Sequence, residues 1–283
     1  DANFDDLWAP LHDYLTAHDV RGRPGTVRFH TGVGVSSVEA RGDDSFVVTD
    51  DSGAELDADG VVLATDVGSL QRLVAASPTL GTEEWRKRVQ DLGSAPQFAV
   101  LLVWLERPVA AERPGFLGTG NVDPLDNISV LERYEYQAAM WARRNRGSVV
   151  ELHAYALDPD ADLTLVRKQL LDRLHTIFPE TADANIVDER MLLRQDCPRF
   201  APGDYADRPG VVTPQPGLVL AGDGIRIDLP VALMERAATT GWTAANTLLT
   251  RRGVAGHTLH TVPTRGRSAL LRMVAERERR NRR

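Results

Sequence analysis

The chain has 283 residues, 42% hydrophobic and 26% charged, with a net charge of −7. That is the composition of a folded, soluble protein, long enough for one large domain or two interleaved ones. It excludes a membrane-spanning chain, because the longest strongly apolar run, residues 98–105, is only strand length.

The predicted elements begin with an amphipathic helix over residues 4–18, where Phe4, Leu7, Trp8, Leu11 and Leu15 recur at helical spacing. Gly22 and Gly25 break it. Residues 27–29, 35–38 and 46–49 alternate like strands, and Asp50-Asp51-Ser52-Gly53 is a turn signal. Residues 61–65 form a continuous apolar run, expected of a strand buried on both faces. Helices follow near 67–76 and 83–92. A second region opens with a strand at 98–106 and continues with strands at 128–131 and 149–157. A helix at 164–178 comes next, with Leu165, Leu170, Leu171, Leu174 and Ile177 as its buried side, then a strand at 186–193. A loop at 198–216, rich in Pro, Gly and Asp, returns the chain to a short strand at 218–220.

Gly222-Asp223 ends that strand. A loop with Arg226, Asp228 and Pro230 leads into a helix over 231–249, with Ala232, Leu233, Ala237, Ala238, Ala244 and Ala245 on or near its apolar face. A strand, Gly-Asp and a helix start present backbone N–H groups and a carboxylate to a polar cofactor. Gly253 and Gly256 set off a tail. From residue 263 onward it carries eight arginines against two glutamates, so a +6 tail follows a body of −13. Leu270, Leu271 and Val274 give it a weak apolar stripe, which suits a helix on anionic lipid as well as a solvated one. The tail has no aromatic residue to stack on bases, so nucleic acid is not an expected partner.

The order of elements implies a mixed α/β fold with a discontinuous domain. Residues 27–67 and 217–250 form one unit, residues 68–216 an inserted sheet-and-helix region, residues 1–26 a helix of that region or a connector, and residues 251–283 the tail. Cys197 is the only cysteine, which excludes an intrachain disulfide and a cysteine-held metal centre. With an acidic first stretch lacking an apolar core, it points to a reducing, cytoplasmic setting, with membrane association through the tail. The seven histidines form no ligand cluster, since His257 and His260 lack a third partner, and no metal is expected. Gly-x-Ser-x-Gly is absent, so a hydrolase elbow is not supported. The chain opens on Asp1 rather than Met, as a fragment or a processed product does.

Leu218-Val219-Leu220-Ala221-Gly222-Asp223, with Met234-Glu235, Ala237, Thr240-Gly241 and Ala244-Ala245, resembles the C-terminal flavin motif of carotenoid desaturases and related FAD-dependent amine-oxidase-type proteins. Residues 61–65 resemble the strand by which such chains leave the FAD domain. The stretch from Arg226 to Gly241 is closer to the carotene aromatic-ring synthases, of which isorenieratene synthase is the named type. Residues 127–133, 141–143 and 148–157 strengthen that likeness. The resemblance implies a two-domain, para-hydroxybenzoate-hydroxylase-like fold with FAD as cofactor and an apolar, carotene-like substrate. It also implies desaturation and methyl migration that make a β-ring aromatic, with the cofactor supplying the redox chemistry.

On the same resemblance, Gly222 and Asp223 serve the ribityl chain, the helix start at Leu233, Met234 and Glu235 faces the flavin, and the backbone of Val35 meets the adenine. Arg226 and Asp228 are the candidate catalytic groups near the substrate ring, where a carboxylate stabilises a cation or removes a proton. The plain alternative is a surface Arg–Asp pair.

One departure stands out. The family opens on Gly-x-Gly-x-x-Gly, whereas Gly32-Val33-Gly34 has Ser37, and Gly118-Thr119-Gly120 has Asp123, at the third position. The FAD-binding domain is therefore expected to lack its N-terminal βαβ unit here, as the C-terminal part of a longer polypeptide that alone binds FAD weakly or not at all. Two other readings stay open. One is a phytoene-desaturase-like or amine-oxidase-like flavoenzyme, although Leu229-Pro230-Val231 replaces the aromatic residues that cage an amine. The other is an inactive or scaffolding module.

Overall fold

The computed structural model describes residues 4–17, 26–262 and 266–281. A π-helical turn, Phe4–Trp8, runs into α1 (Ala9–Thr16). No α1 residue is buried, and Leu7, Trp8 and Leu11 remain exposed. The expected helix end at residue 18 and the glycine break at 22–25 lie outside the described residues. Residues 27–29 carry no strand pairing.

Next comes an antiparallel meander of β1 (Val35–Gly42), β2 (Ser45–Asp50) and β3 (Glu55–Ala58). Its outer edge is closed by hydroxyls: the N–H groups of Val38 and Ala40 donate to Ser77 Oγ and Thr79 Oγ1 at 2.8 and 2.9 Å. This satisfies edge groups that would otherwise pair with another chain. β4 (Val61–Leu63) leads to α2 (Val67–Ala75) and α3 (Glu83–Gln90). Asp66 and Thr82 cap these helices by accepting the Ser69 and Trp85 N–H groups.

The larger sheet contains β5 (Gln97–Leu105), β6 (Phe116–Gly118), β7 (Asn127–Val130), β8 (Ser148–Leu157) and β9 (Ile186–Arg194). All neighbours are antiparallel, in the order β6-β7-β8-β5-β9. α4 (Tyr136–Asn145) and α5 (Leu163–Ile177) belong with it. α5 lays Val166, Leu170, Leu171 and Leu174 on Leu101, Val103, Val150 and Leu152. Leu165, expected on that buried side, is exposed, because Val166 takes its place in the stripe.

The chain then returns through β10 (Leu218–Leu220) to α6 (Leu233–Arg251) and ends in α7 (Ala269–Asn281). β10 pairs in parallel with β4, Val61 opposite Leu218 and Leu63 opposite Leu220. Gly217 permits the approach. Its φ is +78°, and a Cβ there would come within 2.9 Å of the buried Phe46 ring. Val61 and Leu63 are buried but Val62 points outward and is 42% exposed, so β4 is covered on one face rather than two.

Two compact units result: residues 1–32 with 95–195, and residues 33–94 with 196–283. α2 and α3 share their core with β4 and β10. Residues 68–94 and 196–216 therefore sit with the parallel pair, not with the larger sheet as limits at 67 and 216 would have it.

Arg113 and Glu180 clamp two loops of the first unit. Arg113 donates to the carboxylate at 2.9 and 2.8 Å, lies 4.8 Å from the centre of the buried Phe178 ring, and leaves Glu180 Oε1 to accept the Ala110 N–H as well. The guanidinium holds the Glu180 carboxyl down from its usual 4.5 to about 2. This contribution is complete above pH 4.5 and fades as pH falls towards 2. Glu180→Gln should lower the unfolding free energy by about 1–2 kcal/mol at neutral pH, allowing for solvent screening. Urea unfolding of both proteins should converge at the acid end, and a gap independent of pH would contradict the assignment.

Candidate functional site

The connection between β10 and α6, residues 221–232, carries Gly222, Asp223, Arg226 and Asp228, and the first turn of α6 carries Leu233, Met234 and Glu235. Gly222 has φ +139°, a conformation that L side chains rarely adopt, and an added Cβ would meet only Thr65 O at 3.7 Å and Ile225 Cγ1 at 4.0 Å. The backbone turns sharply there and leaves an open approach. Asp223 follows, half-buried, and its carboxylate has no hydrogen bond or ion pair among the described residues.

α6 starts bare. Ala232 supplies no side-chain cap, unlike Asp66, Thr82 and Asp162 at α2, α3 and α5. The N–H groups of Leu233, Met234 and Glu235 therefore have no intrahelical partner, and the positive end of the helix dipole stays open. Leu233 itself has φ +52°, a strained value for a γ-branched residue, and is 73% exposed, while Met234 is 86% exposed. Strain of this kind costs of order 1–3 kcal/mol and persists only where neighbours enforce it.

Those neighbours are Arg236, Thr240, Arg208 and Tyr205, of which only Thr240 belongs to the flavin-like motif, and none of which the sequence marks for an anchoring role. Arg236 donates to Val231 O at 3.1 and 2.9 Å and to Asp223 O at 3.3 Å, tying both ends of the loop to the first turn of α6. Its guanidinium lies 4.4 Å from the Phe200 ring centre. Thr240, fully buried one turn further on, accepts the Gly222 N–H at 2.9 Å. Arg208, 3% exposed, donates to Gly224 O at 2.9 Å and stacks on the other ring contact of Phe200 at 4.1 Å. The Tyr205 hydroxyl donates to Ile227 O and accepts the Ile227 N–H at 3.2 Å. Arg and Tyr in a Pro- and Gly-rich loop read as solvated side chains, so only the tertiary structure exposes this role.

Arg226 and Asp228 are not joined in an ion pair among the described residues. Arg226 donates to Ala206 O at 2.6 Å, whereas Asp228 is exposed and engages no partner there. Val35 stands at the exposed start of β1, on the meander rather than at the β10–α6 junction. The buried stripe of α6 is Thr239, Thr240 and Ala244, not the expected run of alanines: Ala232, Leu233, Ala238 and Ala245 are exposed. The face is set by which side meets β10, and small residues there allow a close approach. Partial burial, then the charges of Asp196 and Asp223, push the Cys197 thiol above its usual range, so it is not a poised nucleophile.

A groove of about 350 Å³ runs beside the loop, between Leu229, Pro230 and Val231 and the later residues Leu259 and Val262. The larger surface cavity of this unit, about 670 Å³ along α2 and α3, contains none of the expected site residues. Among the described residues no cluster of His, Cys, Asp and Glu is arranged to hold a metal ion.

Residues 8–249 match the flavin containing amine oxidoreductase family. The chain is 54% identical over 273 residues to a carotenoid phi-ring synthase of Streptomyces griseus, covering 95% of this chain and 50% of that protein. It is 36% identical over 214 residues to a carotenoid phi-ring synthase of Chlorobaculum tepidum, covering 75% of this chain and 33% of that one. The chain thus spans half or less of the length of these relatives. Among solved structures, a redesigned putrescine oxidase superposes with a TM-score of 0.57 at 14% identity, over 77% of this chain and 48% of that one. That likeness is one of fold.

Thr240→Val removes the acceptor of the Gly222 N–H at nearly constant volume. It should cost about 1–3 kcal/mol in chemical unfolding and speed exchange of the Gly222 amide hydrogen. Unchanged exchange at Gly222 would show that Thr240 does not hold the loop.

Proposed function

Because the chain belongs to the flavin-containing amine oxidoreductase family, we propose that it forms part of an FAD-dependent carotene-ring synthase, which desaturates a β-ring and shifts a methyl group to make it aromatic. The observation that carries this reading is the junction of Gly222, Asp223 and the uncapped start of α6. An open positive-φ glycine, an unengaged carboxylate and three free N–H groups suit the hydroxyls and the anionic ring edge of a reduced flavin. Gly222 and Asp223 hold the ribityl chain, the backbone at Leu233, Met234 and Glu235 meets the flavin, and the backbone of Val35 meets the adenine. When bound, the flavin supplies the hydride acceptor.

The residues of this chain then have separate tasks. Arg236, Arg208, Tyr205 and Thr240 hold the loop against the strain at Leu233. Asp228, exposed and unpaired, stabilises the cation that hydride loss leaves on the ring, and Arg226 positions the loop that bears it. The exposed Leu233 and Met234, with the partly buried Leu229 and Val231 beside them, favour a hydrocarbon substrate over an amine. The unit built on β4 and β10 serves the cofactor, and the unit built on the larger sheet serves the substrate.

No helix among the described residues is long and apolar enough to cross a membrane. A carotene must still be reached in lipid, and α7 has the means. Leu270, Leu271, Met273 and Val274 are exposed on a helix that also carries Arg272, Arg277 and Arg280. We assign α7 to an anionic membrane surface. Sedimentation with vesicles rich in anionic lipid should capture the chain at low salt. Leu271→Glu with Val274→Glu should abolish capture, and equal binding to neutral vesicles would contradict an electrostatic role.

The complete coding frame, expressed in a host that makes β-carotene, tests the main reading. It should yield a flavin-loaded protein and an aromatic carotenoid, and Asp228→Asn should reduce that product by roughly a hundredfold. Unchanged β-carotene with full flavin loading would overturn the ring-synthase assignment, and an undiminished Asp228→Asn variant would overturn the role of Asp228.

A further inference from the structure

The larger sheet has two faces, and the hydrophobic core accounts for only one. On β8, Val150, Leu152 and Ala154 enter the core with α5, so Glu151, His153 and Tyr155 lie on the opposite face. α4 covers one end of that face, where Val149, Leu102, Trp104 and Trp141 cluster. Further along β8 the three polar side chains form a line of hydrogen bonds. His153 Nε2 lies 2.7 Å from Glu151 Oε1, and His153 Nδ1 lies 2.7 Å from the Tyr155 hydroxyl. Asn127, opposite His153 in the register of β7, donates to the same hydroxyl at 3.3 Å.

Three further observations mark this as a site. The Asn127 side chain is 7% exposed, yet its Oδ1 has no hydrogen-bond partner. Either amide orientation leaves a buried polar atom unmatched, a condition that folded proteins avoid. The surroundings are apolar. Val100 pairs with His153 and with Leu192, Phe116 pairs with Ser129 beside Glu151, and the Phe98 ring centre is 6.2 Å from that of Tyr155. Gly118, opposite Asn127, leaves space, since an added Cβ would meet only the Phe116 ring at 3.8 Å. A few aligned polar groups on an apolar floor are what a site for a hydrocarbon with one reactive centre requires.

We propose that Glu151, His153 and Tyr155 form a proton relay, with Tyr155 as the catalytic group that takes a proton from the substrate ring. The proposal rests on the ring-synthase reading above. Hydride loss leaves a ring cation with an acidic C–H. The Tyr155 oxygen accepts that proton while its own hydroxyl proton passes to His153 Nδ1. The C–H electron pair becomes the new ring double bond, and Glu151 offsets the imidazolium charge through Nε2–H. No oxidant beyond the hydride acceptor is needed. Asn127 is a positioning residue that fixes the Tyr155 hydroxyl.

Other charged or titratable groups near the relay are few. Asp126 accepts the Tyr155 backbone N–H at 2.6 Å, and Tyr134 lies within reach of Ser129 and of the Glu151 charge. Arg190 and Arg194 stand on β9 in the rows flanking Leu192. The paired positions on β5 and β6 are apolar or glycine.

Two measurements test the relay. Nitrogen NMR of the 283-residue chain should find His153 protonated on Nε2 with Nδ1 as acceptor, Tyr155→Phe should shift Nδ1 alone, and Glu151→Gln should disturb the tautomer. A His153 signal indifferent to both variants would overturn it. In the complete flavin-loaded protein given a β-ring carotene without oxygen, Tyr155→Phe and His153→Gln should lower aromatic product by roughly a hundredfold. Both should still bleach the flavin and keep their unfolding midpoints. Full product from Tyr155→Phe would overturn the relay and leave the ring-synthase reading intact. A wild-type flavin that carotene does not bleach would overturn both.

Discussion

The parallel pairing of β4 with β10 is the constraint on which the rest of this structure depends. Each strand is three residues long, and the two are separated by more than 150 residues of chain. Parallel strands cannot be joined by a tight turn, so the intervening chain has to leave and return. It leaves as α2 and α3, builds the whole larger sheet, and comes back through the loop at 196–216. The pairing is short, but all of β10 and both inward residues of β4, Val61 and Leu63, are buried, and Phe46, Leu70 and Ala244 share their core. The burial of this cluster, not the ladder itself, holds the discontinuous unit together.

From that pairing the site follows geometrically. A strand that ends at Gly222 and a helix that lies back on it through Thr240 and Ala244 leave a loop between two fixed points. The loop is not relaxed: Gly222 and Leu233 both have positive φ. Backbone strain needs over-determination, and here it comes from four side chains that donate to or accept from loop carbonyls and amides. The polar groups that these anchors leave unengaged, the Asp223 carboxylate and the first N–H groups of α6, are those a flavin can use. The same division of labour explains why Asp228 differs from Arg226, which is committed to Ala206 O.

The larger sheet is organised on a different principle. Alternation along β8 sends every second residue into the core and leaves Glu151, His153 and Tyr155 in a row on the other side. Solvated strand faces carry scattered charges, but this one carries a hydrogen-bonded line set against Phe98, Val100 and Leu192. A core accounts for Val150 and Leu152; it does not account for Asn127 buried with an unmatched carbonyl.

Much of this was legible in the chain itself. Strand alternation and helical spacing locate β1, β2, β4, β5, β7 to β10 and α2, α3, α5 and α6, because each has a buried face and a period that marks it. The wording around Gly222-Asp223 points to a flavin family through its resemblance to that family's C-terminal motif, and the short apolar run, turn residues and helical spacing mark a strand-loop-helix junction. β3, β6 and α4 were not legible. β3 is acidic and largely exposed, held only by its ladder to β2, and β6 is three residues long. The outward face of Val62, the stripe that α6 buries, the anchoring by Arg208, Tyr205, Arg236 and Thr240, and the alignment of Glu151, His153 and Tyr155 with Asn127 were decided by tertiary structure alone. The physical reason is common to them. Local period says which residues share a face, but only the elements that come to lie against that face determine whether it becomes core, anchor or open site.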